Sequence, residues 1–268
     1  MVESQLNYLA PMAIRPEYYT VPPPPGVSWR NTKGDRRVLP VHDARELDPA
    51  PNLDREGFAL ATLETRAADL YDPELVRSIY YPEVADVVQR ATGAEHVLAF
   101  DHNVRNPTRA DSPESLAQMP VRFVHNDYTV GSGPQRVRDL LPEGEAERRL
   151  AGRFAVINVW KPIVGPVEET PLAFCDAQTL ALGDLVATDL HYADRTGEIY
   201  SLNFRPEHRW YYYRAMQSHE ALLLKCYDSD AGRARFTAHS AIDDPESPAD
   251  AAPRESIEVR TLSFFERP

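Results

Sequence analysis

The clearest periodicity in the chain is helical. After Tyr81, Pro82 stands where a helix can begin, and Val84, Val87, Val88 and Ala91 recur at three- and four-residue steps before Gly93 supplies a stop. His96–Asp101 (HVLAFD) then reads as a strand, Val121–Asp127 (VRFVHND) as a second one, and Arg136–Leu141 as a short helix. Downstream the pattern shortens to strand-like runs. Phe154–Trp160, Glu198–Phe204, Arg209–Tyr213, Ala221–Cys226, Phe236–Ala241 and Ile257–Phe265 are rich in β-branched and aromatic residues, with Pro, Gly and Asp between them. One helical zone followed by many short strands, without βαβ alternation, predicts a mainly β fold with helices, of α+β class. The expected architecture is a double-stranded β-helix, or jelly roll, with helices packed on one face.

The start of the chain reads differently. Prolines crowd the first 60 residues, and the run Pro22–Pro25 favours polyproline II, which cannot enter a central strand. Residues 1–55 are expected to form an extended Pro-rich N-terminal arm on the surface, or a partly ordered tail. Such an arm can also reach a second copy in a homo-oligomer. Residues 56–268 are expected to form the jelly-roll domain.

Composition narrows the function. The 268 residues carry a formal charge of −12, which repels phosphate backbones and excludes non-specific nucleic-acid binding as the main task. No apolar run approaches the roughly 20 residues of a membrane helix, and no signal-peptide pattern opens the chain. Cys175 and Cys226 are the only cysteines. They make neither a disulfide framework nor a thiolate zinc site, and the expected location is a reducing cytoplasm.

Of the eight histidines, His125 stands out. In Phe123-Val-His-Asn-Asp-Tyr-Thr129, His125 and Asp127 are two residues apart at a strand end, so their side chains leave the same face. An imidazole, a carboxylate and one distant histidine make the facial triad of non-haem Fe(II) oxygenases, with coordination positions left for co-substrate and oxygen. His239 follows a strand, turn and strand, and is preferred as the third ligand over His208, which precedes the aromatic run Trp210–Tyr213. Beyond His239, either Arg254 or Arg260 can grip the far carboxylate of a dicarboxylate co-substrate. Arg254 has the shorter reach and is preferred, which leaves Arg260 for substrate or a structural ion pair.

Phe123–Thr129, Ile157–Ile163, Pro171–Asp176, His208–Tyr213, Leu223–Ser229 and Pro253–Arg260 together resemble the family of cephamycin 7α-hydroxylase-like proteins and fungal hydroxylase/desaturases. The resemblance runs from about residue 55 to the C-terminus. One departure is Ser218-His219 before Glu220, where an acidic residue is expected at the strand entry. The resemblance implies an Fe(II)/2-oxoglutarate-dependent dioxygenase of secondary metabolite biosynthesis that hydroxylates, desaturates or closes a ring in a small molecule with O2. It implies His125, Asp127 and His239 as iron ligands and Arg254 as the 2-oxoglutarate clamp.

Other residues are expected near the site. Thr129 and Asn158, with Arg260, are candidates for contacting the co-substrate. Tyr128, Trp160, His208, Tyr211 and Tyr213 are candidate substrate walls, although inward-facing aromatics more often serve as core. His102 is a candidate for the pocket entrance. Two other readings remain open: a jelly-roll isomerase or hydrolase that keeps the metal but needs no arginine clamp, and a non-catalytic small-molecule binding module.

Overall fold

The computed structural model describes residues 1–110 and 117–266. Fourteen strands are found among them, in chain order β1 (Val2–Leu9), β2 (Glu17–Tyr19), β3 (Gly34–Asp43), β4 (Phe58–Thr62), β5 (His96–Arg105), β6 (His125–Asn126), β7 (Phe154–Pro162), β8 (Leu172–Cys175), β9 (Leu185–His191), β10 (Thr196–Leu202), β11 (Trp210–Tyr212), β12 (Glu220–Asp228), β13 (His239–Ala241) and β14 (Ser256–Phe264). They form two sheets, ordered β1-β3-β11-β8-β13-β6-β10-β9-β2 and β4-β12-β7-β14-β5. The sheets pack face to face with a helix on one outer face, and this is the expected jelly-roll architecture.

β7 shows why the five-stranded sheet is covered on both sides. Every one of its residues is buried. Ala155, Ile157 and Val159 pack with Val84, Val87 and Val88 of the helix Tyr81–Thr92, whereas Val156 and Trp160 enter the core shared with Phe174 and Tyr211 of the other sheet. The valine stripe is the one read from the sequence, and each fully buried valine stabilises the fold by about 1.5–3 kcal/mol. Pro82 lies in the first turn of this helix, and Gly93 ends it at φ 69° with its N–H bonded to the Gln89 carbonyl. A left-handed residue there is one that glycine adopts without steric cost.

The structure corrects the reading of residues 1–55 as an arm. β1 pairs antiparallel with β3 along its whole length, and Leu6, Tyr8 and Leu9 are fully buried. The alternating burial of Val2, Ser4, Leu6 and Tyr8 is a strand period partly masked by a polar residue on the inner face. The Pro22–Pro25 segment, between β2 and β3, enters no strand, as its prolines predict. β1, paired along its length inside its own sheet, is not a free arm. Val121–Asp127 also differs from expectation, because only His125 and Asn126 form ladder bonds while the Val124 N–H reaches the Asn7 carbonyl.

Candidate active site

β6 and β13 are adjacent in the nine-stranded sheet, with His239 in register with His125. Their ring centroids lie 4.5 Å apart. His125 Nδ1 donates to the Phe123 carbonyl at 2.8 Å, and His239 Nδ1 donates to the Thr237 carbonyl at 3.0 Å. Each carbonyl sits two residues before its histidine, so both rings are held in the tautomer that leaves Nε2 unprotonated. Asp127 Oδ1 faces them, 3.4 Å from His125 Nε2 and 3.9 Å from His239 Nε2. The ligand atoms of the three residues all lie within 4.8 Å of one another.

The second oxygen of Asp127 faces the opposite sheet. Asn158 Nδ2 donates to Oδ2 at 2.8 Å and Arg260 Nε at 3.0 Å. Asn158 on β7 and Arg260 on β14 are cross-strand partners, so one rung of the five-stranded sheet fixes the carboxylate. Burial pushes the Asp127 carboxyl up, but Arg260 and the two histidines outweigh it and hold it well below the usual carboxylate range. Burial works against charge on His125 too, yet Asp127 prevails and raises it. His239 is lowered by burial and by the neighbouring His125. One anionic and two imidazole donors on one side of a point make a facial donor set for a divalent transition metal.

Beside this cluster opens a cavity of about 1600 Å³. His125, Asp127, Tyr128 and Arg260 form part of its wall. Tyr18, Tyr19 and Trp29, from the N-terminal segment that contains β2, also form part of its wall. That segment is strapped to the β9–β10 hairpin by Arg15, which is 2.6 Å from Asp189 and 2.5 Å from Glu198.

Residues 6–264 match the family described as "YDMC: Oxidoreductase/YMDC permease-like domain". The chain is 34% identical over 277 residues to "Fe(II)/2-oxoglutarate-dependent dioxygenase nvfI" of Aspergillus novofumigatus, an alignment that covers 98% of this chain and 96% of that protein. It is 32% identical over 269 residues to "Hydroxylase/desaturase CTB9" of Cercospora beticola, covering 90% and 82%. The fold superposes on the solved structure of "iron and alpha-ketoglutarate-dependent endoperoxidase NvfI" with a TM-score of 0.89 and 32% identity, over 99% of this chain and 98% of that one. The chain belongs to the Fe(II)/2-oxoglutarate-dependent hydroxylase/desaturase family. It is an Fe(II)/2-oxoglutarate-dependent oxygenase.

The residues present fit what this family binds. Asn158 Oδ1, next to the Nδ2 that bonds Asp127, is buried without a partner among the described residues; Arg254 Nε is buried and unpartnered too, although Arg254 is not on the cavity wall. Arg254 is 4% exposed, donates Nη1 to the Thr170 carbonyl at 2.6 Å, and makes no side-chain ion pair among the described residues, although its backbone N–H donates to Glu169 Oε2 at 3.3 Å. Its guanidinium lies over the Trp160 ring at 5.5 Å. Burial, then repulsion from Arg105, pushes its pKa down to about 9. Arg260, in contrast, already spends its fork on Asp127, Asp101 and Glu258. A buried guanidinium without a counter-ion fits a dicarboxylate better than one already saturated with carboxylates.

Several expected site residues lie elsewhere. Thr129 Oγ1 accepts the N–H groups of Gly131 and Ser132 at 3.0 and 2.9 Å and donates to Glu198, so it secures the start of the helix Ser132–Leu140. Trp160, Tyr211 and Tyr213 are packed into the core between the sheets and do not line the cavity. His208 is buried between Asp184 and Tyr8 at 3.1 and 3.2 Å and does not line the cavity. His102 bonds Tyr81 at 2.8 Å; alternation along β5 sends Asp101, Asn103 and Arg105 to the cavity and His102 to the helix. Of the five expected substrate contacts only Tyr128 is on the cavity wall. Arg105, Tyr18 and Trp29 line it unforeseen; the alternation that excludes His102 is the signal for Arg105, and no pattern singled out the other two.

Proposed function

We propose that His125 Nε2, Asp127 Oδ1 and His239 Nε2 hold Fe(II), and that Arg254 holds the far carboxylate of 2-oxoglutarate. The observation that carries this reading is the orientation of the three donors. Backbone carbonyls take both Nδ1 protons, Asn158 and Arg260 take the other Asp127 oxygen, and three lone pairs are left converging on one point. When bound, Fe(II) and 2-oxoglutarate supply the oxidation, in which O2 is consumed and 2-oxoglutarate leaves as succinate and CO2. The chain's own part is positional. Asn158 and Arg260 keep Asp127 ionised and bound through one oxygen, which leaves room for a chelating co-substrate. Arg254, behind Trp160, fixes the length and direction of that co-substrate through a charge-assisted pair in a dry setting. The wide cavity then presents one C–H bond of a small natural-product substrate to the metal, and whether hydroxylation, desaturation or ring closure follows depends on placement to within about 1 Å.

The reading of a metal-dependent isomerase or hydrolase is less well supported, since that chemistry leaves the uncompensated Arg254 without a purpose. A binding module without catalysis is disfavoured by the intact donor set. A cellular location with reduced thiols suits Cys175 and Cys226, which are both free and buried, and among the described residues no helix is long and apolar enough to cross a membrane. The test is succinate formation from 2-oxoglutarate in air. It is expected to require Fe(II), to occur slowly without the prime substrate, and to vanish in His239→Ala; succinate formation unaffected by that substitution would remove His239 from the site.

A further inference from the structure

The charge of the cavity runs against that of the whole chain. The protein carries −12, yet six arginines line the cavity against four acidic side chains. Most of these arginines have a carboxylate already. Arg122 is 2.7 Å from Asp243, Arg136 is 3.7 Å from Asp139, and Arg260 is saturated as described. Arg30 and Arg195 stand at the exposed rim. Arg105 is different. It is half-buried near the end of β5, and its Nη1 donates only to neutral oxygens, Gln118 Oε1 at 2.6 Å and the Met119 carbonyl at 3.0 Å. No carboxylate lies within 4.0 Å of it among the described residues. A partly desolvated cation, held in one direction and facing a cavity without a counter-ion, is a position for an anion.

The size and rim of the cavity make a second, independent observation. Ligand sites commonly measure roughly 300–1,000 Å³, and this cavity, at about 1600 Å³, holds far more than 2-oxoglutarate. Its mouth carries Tyr18 and Trp29 from the N-terminal segment, exposed by 43% and 53%, and Tyr192 from the β9–β10 turn, 37% exposed with the Arg195 guanidinium 4.4 Å over one face of its ring. Aromatic faces this open on a cavity wall are surfaces that a large apolar ligand covers.

We infer that the prime substrate is a bulky, largely apolar, ring-bearing molecule with one carboxylate or comparably acidic group, that Arg105 receives that anion, and that Tyr18, Trp29 and Tyr192 cover the apolar body. This rests on the reading that Arg254, not Arg105, takes the co-substrate. The acidic group then anchors one end of the substrate while the C–H bond to be oxidised lies toward Asp127 and the histidines. Arg105 is a specificity residue on this account, and it sets which substrates enter rather than how fast the metal centre works.

The test uses two probes of equal size, 1-naphthoate and neutral 1-naphthylmethanol. Each is titrated calorimetrically into anaerobic protein loaded with Fe(II) and 2-oxoglutarate. Wild type is expected to prefer the anion by about tenfold or more. Arg105→Gln is expected to bind both probes alike, Arg105→Lys to keep most of the preference, and 2-oxoglutarate affinity to change by no more than about twofold in either. Equal binding of the two probes by wild type, or binding of neither at millimolar concentration, would overturn the inference. So would an Arg105→Gln protein that loses 2-oxoglutarate affinity as far as Arg254→Gln does, since Arg105 would then belong to the co-substrate clamp. A wild type that takes up no 2-oxoglutarate contradicts the co-substrate reading instead, and the same probe pair titrated into metal-free protein still decides Arg105.

Discussion

Arg260 and Asp127 meet across the two sheets, Nε to Oδ2 at 3.0 Å, and Asn158 meets the same oxygen from the neighbouring strand at 2.8 Å. The carboxylate that faces the two histidines is therefore oriented by the sheet opposite to the one that carries them. β6 is too short to fix it alone, having only two ladder residues. The metal centre depends on the packing of the two sheets.

Asn158 should thus act through Asp127. Asn158→Ala frees one hydrogen bond to Oδ2 and is expected to weaken Fe(II) affinity by about 10–100-fold, with little change in the KM for 2-oxoglutarate at saturating iron. Anaerobic iron titration followed by competition with a chelator reads this directly. An unchanged iron affinity would assign Asn158 to the co-substrate, as the sequence reading had it.

Arg254 and Arg260 should separate by kinetics. Losing a charge-assisted contact to the co-substrate in Arg254→Gln is expected to raise the KM for 2-oxoglutarate by about 10–100-fold. Iron affinity should stay near wild type. Arg260→Gln should do the reverse, because its nearest partner is the ligand Asp127. Steady-state succinate assays at varied 2-oxoglutarate and varied iron distinguish the two.

His208 belongs to stability. It donates Nε2–H to Asp184 and accepts the Tyr8 hydroxyl, which in turn accepts Trp210 Nε1–H at 2.7 Å, so the chain of bonds ties β1 to β11. Burial lowers the His208 pKa, partly offset by Asp184. The unfolded chain therefore binds this proton more readily than the folded one, and stability is full above about pH 6.5 and declines as pH falls below it. His208→Phe is expected to cost about 2–3 kcal/mol at pH 7.5 and to flatten part of that decline. Thermal melts of metal-free protein across pH 5–8 check both, and a loss of substrate binding without a loss of stability would return His208 to the pocket.

Thr129 is also a fold residue. Thr129→Val removes an acceptor for two N–H groups at a helix start and is expected to cost about 1–2 kcal/mol in denaturant melts. The 2-oxoglutarate KM should not follow.

What the sequence made legible follows from local rules. His125 and Asp127 share a face because strand side chains alternate, and the valine stripe before Gly93 is a helix by spacing alone. The choice between Arg254 and Arg260 was not decidable there, since proximity to His239 says nothing about which guanidinium is already neutralised. Trp160, Tyr211 and Tyr213 are inward-facing, as read, but the interior of a jelly roll is mostly core and only its metal end is cavity. β1 was hidden because Ser4 interrupts its apolar face and the prolines beyond Tyr19 dominate the composition of the first 60 residues. Tyr18 and Trp29 reach the cavity only through a long-range fold of the N-terminal segment over β9, which no local pattern encodes.

The central claim is that His125, Asp127 and His239 hold iron in a form that 2-oxoglutarate chelates. The most direct measurement is the visible charge-transfer band that appears when 2-oxoglutarate is added anaerobically to Fe(II)-loaded protein. Wild type should show the band with one equivalent of iron, and Asp127→Ala and His239→Ala should show neither the band nor stoichiometric iron. A band of undiminished intensity in either variant would contradict the account.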